Sequence, residues 1–350
     1  LTRAISDAEL LSQSSYQLAR EHGIPRSTIY DWQVQARLVH KTADEIEEAA
    51  RPAEYEDDAD EFLAQVAGMA DALLAQRNQT QFLEVHIETT IPIGLAFTGD
   101  WHFGAVGTDY RRLYNDIESL AQAPGVYVVG MGDYGDNYKA GLGRVSAGLY
   151  DAVVPNPDAQ QRGWSRLLER LNPRLLGLIL GCHLDWDFDK AGRDALQPVV
   201  EKLGRNELGQ PVANLGYGGV LRLAVGGQHY TALARHRIKA DGGINTTNAH
   251  RRASDEYPVD TPWDIIALAH LHYNDLHQPT HAGRQQVWLR SGGYKIVDRY
   301  GQKLAGYSGE PGVPIVVLFP DRHEMLPFRG DQMHIALGIL DAARKGTIKL

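Results

Sequence analysis

Five short apolar runs in this chain each end in residues able to bind a cation or move a proton. Ile91–Phe97 leads into Gly99-Asp100-Trp101-His102, and Val126–Val129 into Gly132-Asp133-Tyr134-Gly135-Asp136-Asn137. Leu175–Leu180 ends in Gly181-Cys182-His183, Tyr230–Ala234 in Arg235-His236-Arg237, and Asp264–Leu268 in Ala269-His270-Leu271-His272. Any one of these histidines alone would pass for an ordinary core or surface residue, but five successive run ends carrying acids or imidazoles do not. Carboxylates and imidazoles are borderline ligands for Mn²⁺, Fe or Zn²⁺, and a shared carboxylate can hold two cations roughly 3.5–4 Å apart. Such a pair polarises a phosphoryl oxygen, lowers the pKa of a bridging water and neutralises transition-state charge. That chemistry is hydrolysis without a serine or cysteine nucleophile. A single structural zinc fits poorly, because it normally uses closely spaced cysteines and Cys182 is the sole cysteine.

Residues up to 172 positions apart can meet only if a sheet gathers them. The β-like runs, joined by Val287–Arg290 and Pro314–Phe319, begin at about residue 83. Helical patterns at Asp109–Gln122, Ala159–Leu171 and Ala191–Leu203 separate the early ones. This alternation predicts an α/β domain over 83–330, followed by a C-terminal tail over 331–350. In α/β sheets the carboxyl ends of the strands form the crevice of the site, which is where the five groups fall.

The series resembles the calcineurin-like metallophosphoesterases, whose signature is D-x-H, G-D-x-x-D, G-N-H, H and G-H-x-H. The motifs occur here in the same order, covering about residues 92–320, and the stretch from His236 to Pro279 looks most like phage-encoded members. The resemblance implies a four-layer αββα sandwich and a di-metal-dependent phosphoester hydrolase with a metal-bridging hydroxide as nucleophile. It implies that Asp100, His102 and His272 hold one metal, His236 and His270 the other, with Asp133 bridging. His183 would be the general acid, oriented by Asp136. Mn²⁺ is the expected metal, with Zn²⁺ or Fe as alternatives.

Two departures inform the chemistry. Cys182 stands where the family has an asparagine ligand; it either ligates as a soft thiolate, favouring Zn²⁺ or Fe, or is a buried thiol with water or Asp185 substituting. Asn137 stands near where the family's protein phosphatases carry an arginine that clamps a dianionic phosphate. Without that charge the reading tilts toward a phosphodiesterase or nuclease. Arg235, Arg237 and Asn137 are candidate substrate contacts, though arginines here also suit a solvated surface. A lesser departure is Ala269, where the family has glycine.

The first 43 residues read as a helix-turn-helix. Gly23 suits the turn between two helices, Ala19 allows close approach, and Ile29 and Trp32 form an apolar stripe. Arg26, Ser27 and Thr28 would then face DNA, as in transposase and terminase-like modules; a protein-binding helical hairpin is the alternative. Residues 44–61 carry ten acidic residues against Arg51 and read as a solvated linker. Phe62, Val66, Met69 and Leu73 recur at helical spacing and predict an amphipathic connecting helix within 62–82.

Composition bounds these readings. With 350 residues, 43% hydrophobic and 23% charged, the chain is long and apolar enough for two folding units. One cysteine closes no intrachain disulfide. No apolar run approaches the ~20 residues of a membrane span, and no secretory segment is evident, which predicts a soluble cytoplasmic protein without a membrane partner. The net charge of −9 lies wholly in 44–61, so the remainder is formally neutral and DNA stays open as a partner. The leading expectation is a DNA-directed phosphodiesterase. A DNA-binding phage or regulatory protein with a vestigial metal site, or a small-molecule phosphodiesterase, are the alternatives.

Overall fold

The computed structural model describes residues 5, 12–23, 29, 33, 62–71, 82–137, 152–191, 194–239, 241, 245–256, 263–281, 283–297 and 309–350. The chain divides into two compact units, Leu1–Gln81 and Phe82–Leu350. Among the described residues, no helix is long and apolar enough to cross a membrane.

In the first unit, helix α1 (Ser15–His22) starts at Ser14, whose hydroxyl accepts from the Gln17 N–H while Gln17 accepts from the Ser14 N–H. This reciprocal cap satisfies two donors that a helix start leaves open. The helix stops at Gly23, which takes φ 65°, the left-handed conformation that glycine adopts without strain. Leu18, Ile29 and Ile5 are buried together, with Ala19 against them. Arg26, Ser27, Thr28 and Trp32 lie outside the described residues, as does the acidic stretch 44–61. Residues 62–71 are helical, with Phe62, Val66 and Met69 half-buried and Leu63 exposed.

The second unit is mixed α/β, built on two six-stranded mixed sheets. One sheet takes β1 (Phe82–Ile87), β6 (Gly218–Val225), β7 (Gln228–Arg235), β8 (Ile265–Leu268), β12 (Val287–Arg290) and β9 (Asp275–His277), in that spatial order. The other takes β14 (Met325–Phe328), β13 (Ile315–Leu318), β2 (Ile93–Thr98), β3 (Val126–Gly130), β4 (Leu175–Leu178) and β5 (Ala213–Asn214). Strands β2 to β5 run parallel, as do β7, β8 and β12, so the carboxyl ends within each group share one edge. The short pair β10 (Thr280–His281) and β11 (Arg284–Gln285) stands apart.

Period-two alternation divides the core. Ile93, Leu95 and Phe97 of β2 join a cluster with Leu221 and Leu223 of β6 and with Ala232, Ile265 and Leu289 of the other sheet. Ala96, between them, points to the opposite cluster. There it meets α2 (Tyr110–Gln122) through Leu113, Ile117 and Leu120, and α3 (Pro157–Leu171) through Trp164 and Leu168. Asp109 and Asn156 cap these helices by accepting main-chain N–H bonds at their starts. A third cluster joins Leu233, Ile266 and Trp288 to Ala249 and Ala253 of α6 (Thr246–Glu256).

Two expected elements differ. The helical pattern over 191–203 is divided into α4 (Cys182–Ala191), which starts directly after β4, and α5 (Gln197–Leu203). Asp194 restarts the chain as a helix by accepting from the N–H groups of Leu196 and Gln197. Residues 331–350 are not a tail: α7 (Met333–Arg344) buries Met333, Ala336 and Leu340 in the same cluster as α2 and α3. Strands β1 and β6 also lie outside the runs read from sequence, β6 because its start is Gly218-Gly219 and its register comes from pairing with β7.

Candidate metal centre

Short, strained turns after the strands deliver the donors. Asp100 and His102 follow β2, Asp133 follows β3, Cys182 and His183 open α4 after β4, and His236, His270 and His272 follow β7 and β8. Among the described residues, six non-glycine positions take positive φ: Asp100, His102, Asp133, Asn137, His270 and His272. Each belongs to the set of site residues read from the sequence. Such backbone costs of order 1–3 kcal/mol per residue and persists where the surroundings over-determine it, as at ligand-holding sites. The close approach of the turns also demands glycine. A Cβ on Gly181, itself at φ 78°, would run into the main-chain nitrogen and carboxylate of Asp133.

Two donor sets result. Asp100, His102 and His272 bring one ligand atom each within 4.8 Å of one another, and Asp133, Cys182, His236 and His270 do the same. All but Cys182 and His270 are buried, and those two are half-buried. His270 links the sets, because its main-chain N–H donates to Asp100 Oδ2 at 2.8 Å.

The ring tautomers can be read from the acceptors. His236 Nδ1–H donates to the Met131 carbonyl at 2.8 Å, which turns Nε2 toward Asp133 Oδ2 at 3.0 Å. His102 Nδ1–H donates to Asp136 Oδ1 at 3.1 Å, which turns its Nε2 toward His272 Nε2 at 2.9 Å. A carbonyl or carboxylate on the far nitrogen is the usual way a ligand imidazole is oriented. Between two facing lone pairs at these distances, a proton or a cation must sit. Asp100 Oδ1 lies 3.6 Å from His272 Nε2 and 4.0 Å from His102 Nε2, and this buried oxygen has no hydrogen-bond partner. An unsatisfied buried charge is costly, so this oxygen and the paired nitrogens fit a cation.

The electrostatics of the metal-free centre agree. Burial, together with the neighbouring Asp133 and against the pull of His236, pushes Asp100 up to about 7. Burial lowers His102 to about 4 and His270 to about 3, and holds His272 well below the usual imidazole range. Burial would raise Asp133, but the charges of His236 and His183 and the His236 hydrogen bond together hold it well below the carboxylate range. His236 is opposed by burial yet held well above its usual value by Asp133. Burial pushes the Cys182 thiol up to about 11, and its Sγ–H donates to Asp133 Oδ2 at 3.1 Å. A bound cation would take the place of these protons.

His183 stands beside both sets. Its ring lies 4.5 Å from that of His102 and 4.3 Å from that of Trp186, centroid to centroid. The expected Asp136 dyad takes a different form here, since His183 Nδ1–H donates to the main-chain oxygen of Asp136 at 2.7 Å. The Asp136 carboxylate instead accepts from His102 and from Lys295 Nζ at 3.0 Å. Burial would raise Asp136, but the His102 hydrogen bond and the Lys295 charge bring it to about 2. Asn137, expected to meet substrate, is buried; its amide donates to the His183 carbonyl at 2.9 Å and its N–H to Gln160 Oε1 at 2.7 Å. It therefore holds the His183 turn. Arg237 is exposed and adds to the lowering of His270, whereas Arg235 is half-buried.

Two contributors escaped sequence reasoning. Lys295 is buried at 3% exposure against Asp136. Arg290 is fully buried, pairs with both oxygens of Asp241 at 2.7 and 3.0 Å, and donates to the Ala269 carbonyl that precedes His270. The available signal was the end of β12, where Arg290-Ser291-Gly292-Gly293-Tyr294-Lys295 repeats the pattern of a strand running into glycine and a charge.

No protein-family model matches the chain, and no curated protein is significantly similar to it.

Proposed function

We propose that the chain is a di-metal phosphoester hydrolase acting on phosphodiesters, with DNA as its substrate class, and that its two sheets and flanking helices form a four-layer αββα sandwich. The observation that carries the reading is the pair of donor sets at the strand ends, joined through His270 and Asp100 and flanked by His183. Asp100, His102 and His272 would hold one divalent cation and Asp133, Cys182, His236 and His270 the other. Bound there, the cations supply Lewis acidity toward a phosphoryl oxygen and an activated water nucleophile.

The chain's own residues do the rest. With Nδ1–H committed to the Asp136 carbonyl, His183 gives a proton to the leaving oxygen through Nε2, the role of a general acid. Asn137 fixes the main chain of His183. Ionised Asp136 orients His102 and is itself neutralised by Lys295, so the centre gains no net negative charge from that pair. Exposed Arg237 beside His270 suits an approaching phosphate, with half-buried Arg235 next to it in sequence. DNA as partner is supported by the capped α1, its Gly23 stop and the Leu18–Ile29 packing expected of a helix-turn-helix.

The test is metal analysis of the purified chain with hydrolysis of bis-(p-nitrophenyl) phosphate, the corresponding monoester, and single- and double-stranded DNA with added Mn²⁺. Two equivalents of metal and diester turnover are expected, with a loss of about 10²-fold or more in His183→Ala and of all turnover in Asp133→Ala. Folded protein that binds no metal and turns over none of these substrates would overturn the reading in favour of a vestigial centre.

A further inference from the structure

The two donor sets differ in chemistry. Asp100, His102 and His272 offer one oxygen and two nitrogens, whereas Asp133, Cys182, His236 and His270 offer an oxygen, a sulfur and two nitrogens within 4.8 Å. Cys182 is placed as a donor and not as packing. It belongs to none of the apolar clusters, although the next-but-one residue, Leu184, does. Its Sγ contacts polar atoms, Asp133 Oδ2 at 3.1 Å and His270 Nδ1 at 3.6 Å. In the same set His236, at 3% exposure, has Nε2 without a hydrogen-bond partner and aimed at Asp133. These four atoms converge from four strand ends.

Sulfur decides which cation such a point prefers. Thiolate is a soft donor that selects Zn²⁺-class ions over Mn²⁺, while carboxylate and imidazole alone accept Mn²⁺ readily. Donor number matters as well. Four protein ligands complete the tetrahedral shell of a zinc-class ion, and three leave a position open. We propose that the Asp133–Cys182–His236–His270 set is a thiolate site for a Zn²⁺-class cation, filled by the protein's own ligands, and that the Asp100–His102–His272 set is a sulfur-free site that keeps a position open and accepts a Mn²⁺-class cation. The centre is then a mixed-metal one with unequal halves, the open half being where an incoming oxygen ligand is taken up. This rests on the metal part of the reading above and is independent of whether the substrate is a phosphoester.

The full-length chain, stripped with chelator and loaded with Co²⁺ as a spectroscopic stand-in for Zn²⁺, tests it. Wild type is expected to bind two Co²⁺ and to show a near-ultraviolet sulfur-to-cobalt charge-transfer band, which Cys182→Ser and Cys182→Asn both lose while their visible cobalt bands persist. Competition with a chromophoric chelator is expected to show Zn²⁺ held about tenfold or more less tightly by Cys182→Asn, with Mn²⁺ affinity unchanged. Two bound Co²⁺ without the band in wild type would overturn the thiolate site and leave the di-metal reading standing. Equal Zn²⁺ affinity in wild type and Cys182→Asn would do the same. Failure of wild type to bind any of the three metals would overturn both. The wild-type spectrum needs no variant, so the proposal stays testable even if a substitution at Cys182 fails to fold.

Discussion

At the scale of single residues, the candidate metal centre depends on groups that orient the donors as much as on the donors. Asp136 shows why. One carboxylate oxygen accepts from both His102 and Lys295, all three being buried, so removing the charge leaves a buried ammonium without its counter-ion. Asp136→Asn should cost about 3–5 kcal/mol of stability, measured by urea unfolding of the metal-free protein, and should also weaken metal binding by releasing the His102 ring. An unchanged unfolding midpoint would show that the buried pair does not form. The histidines and acids of this centre were legible in the sequence because each follows a run that reads as a strand. Lys295 was not, since nothing in the spacing of Gly292-Gly293-Tyr294-Lys295 says that a lysine will be buried against a residue 159 positions away.

At the scale of elements, strand ends and the turns after them do the positioning. Gly181 separates β4 from α4 at φ 78° and has no room for a side chain against Asp133. Gly209, at φ 74°, has open space around its Cα. Both alanine substitutions carry the backbone strain of about 1–3 kcal/mol, but only Gly181→Ala should displace Asp133. The expected result is comparable or greater loss of stability and a much larger loss of metal affinity in Gly181→Ala, read by titration calorimetry. Equal metal affinity in the two variants would contradict the placement of this turn. Helix α7 is the element the sequence reading treated as a tail. Leu340 is buried in the main cluster and lies over Gly94 of β2, where an added Cβ would meet its Cδ1 at 2.8 Å. Leu340→Ala should therefore cost about 2–5 kcal/mol, whereas the same change in a true tail would cost nothing measurable.

At the scale of the whole molecule, the centre couples stability to pH. Within it, His102 at about 4, His270 at about 3 and His272 well below its usual range all titrate lower when folded than the ordinary 6.5. As pH falls from 6.5 toward 4, the unfolded chain takes up three protons that the native centre refuses. Asp100 opposes them, because at about 7 it keeps a proton that the unfolded carboxylate, with a value near 3.8, has lost. Buried His250, lowered to about 4, adds a fourth such proton outside the centre; four outweigh one, so the metal-free protein should lose stability on acidification with a slope of about three protons. Above 6.5 the sign reverses, since Asp100 and His236 then hold protons that the unfolded chain has released. Urea midpoints of chelator-treated protein should peak near neutrality, and a flat profile from about pH 4.5 to 6.5 would refute the assignment of neutral buried histidines. The first unit makes a separate prediction: deleting residues 1–43 should weaken DNA binding and spare turnover of the small chromogenic diester. Undiminished DNA affinity in the truncated chain would remove the helix-turn-helix from the proposal.

By itself the sequence determined the α/β character, the strand ends that carry acids and histidines, and the candidate donors there, because short apolar runs and the residues after them are local signals. It also located the acidic excess in 44–61 and the helix stop at Gly23. Only the tertiary structure decided which candidate donors lie within 4.8 Å of one another, that the Asp136 carboxylate serves His102 while its carbonyl serves His183, and that Lys295 and Arg290 stand behind them. It decided as well that the last helix belongs to the core. Those facts depend on which strands lie side by side and on how far a turn is bent, and both are set by long-range packing of the two sheets, for which no short stretch of sequence carries the information.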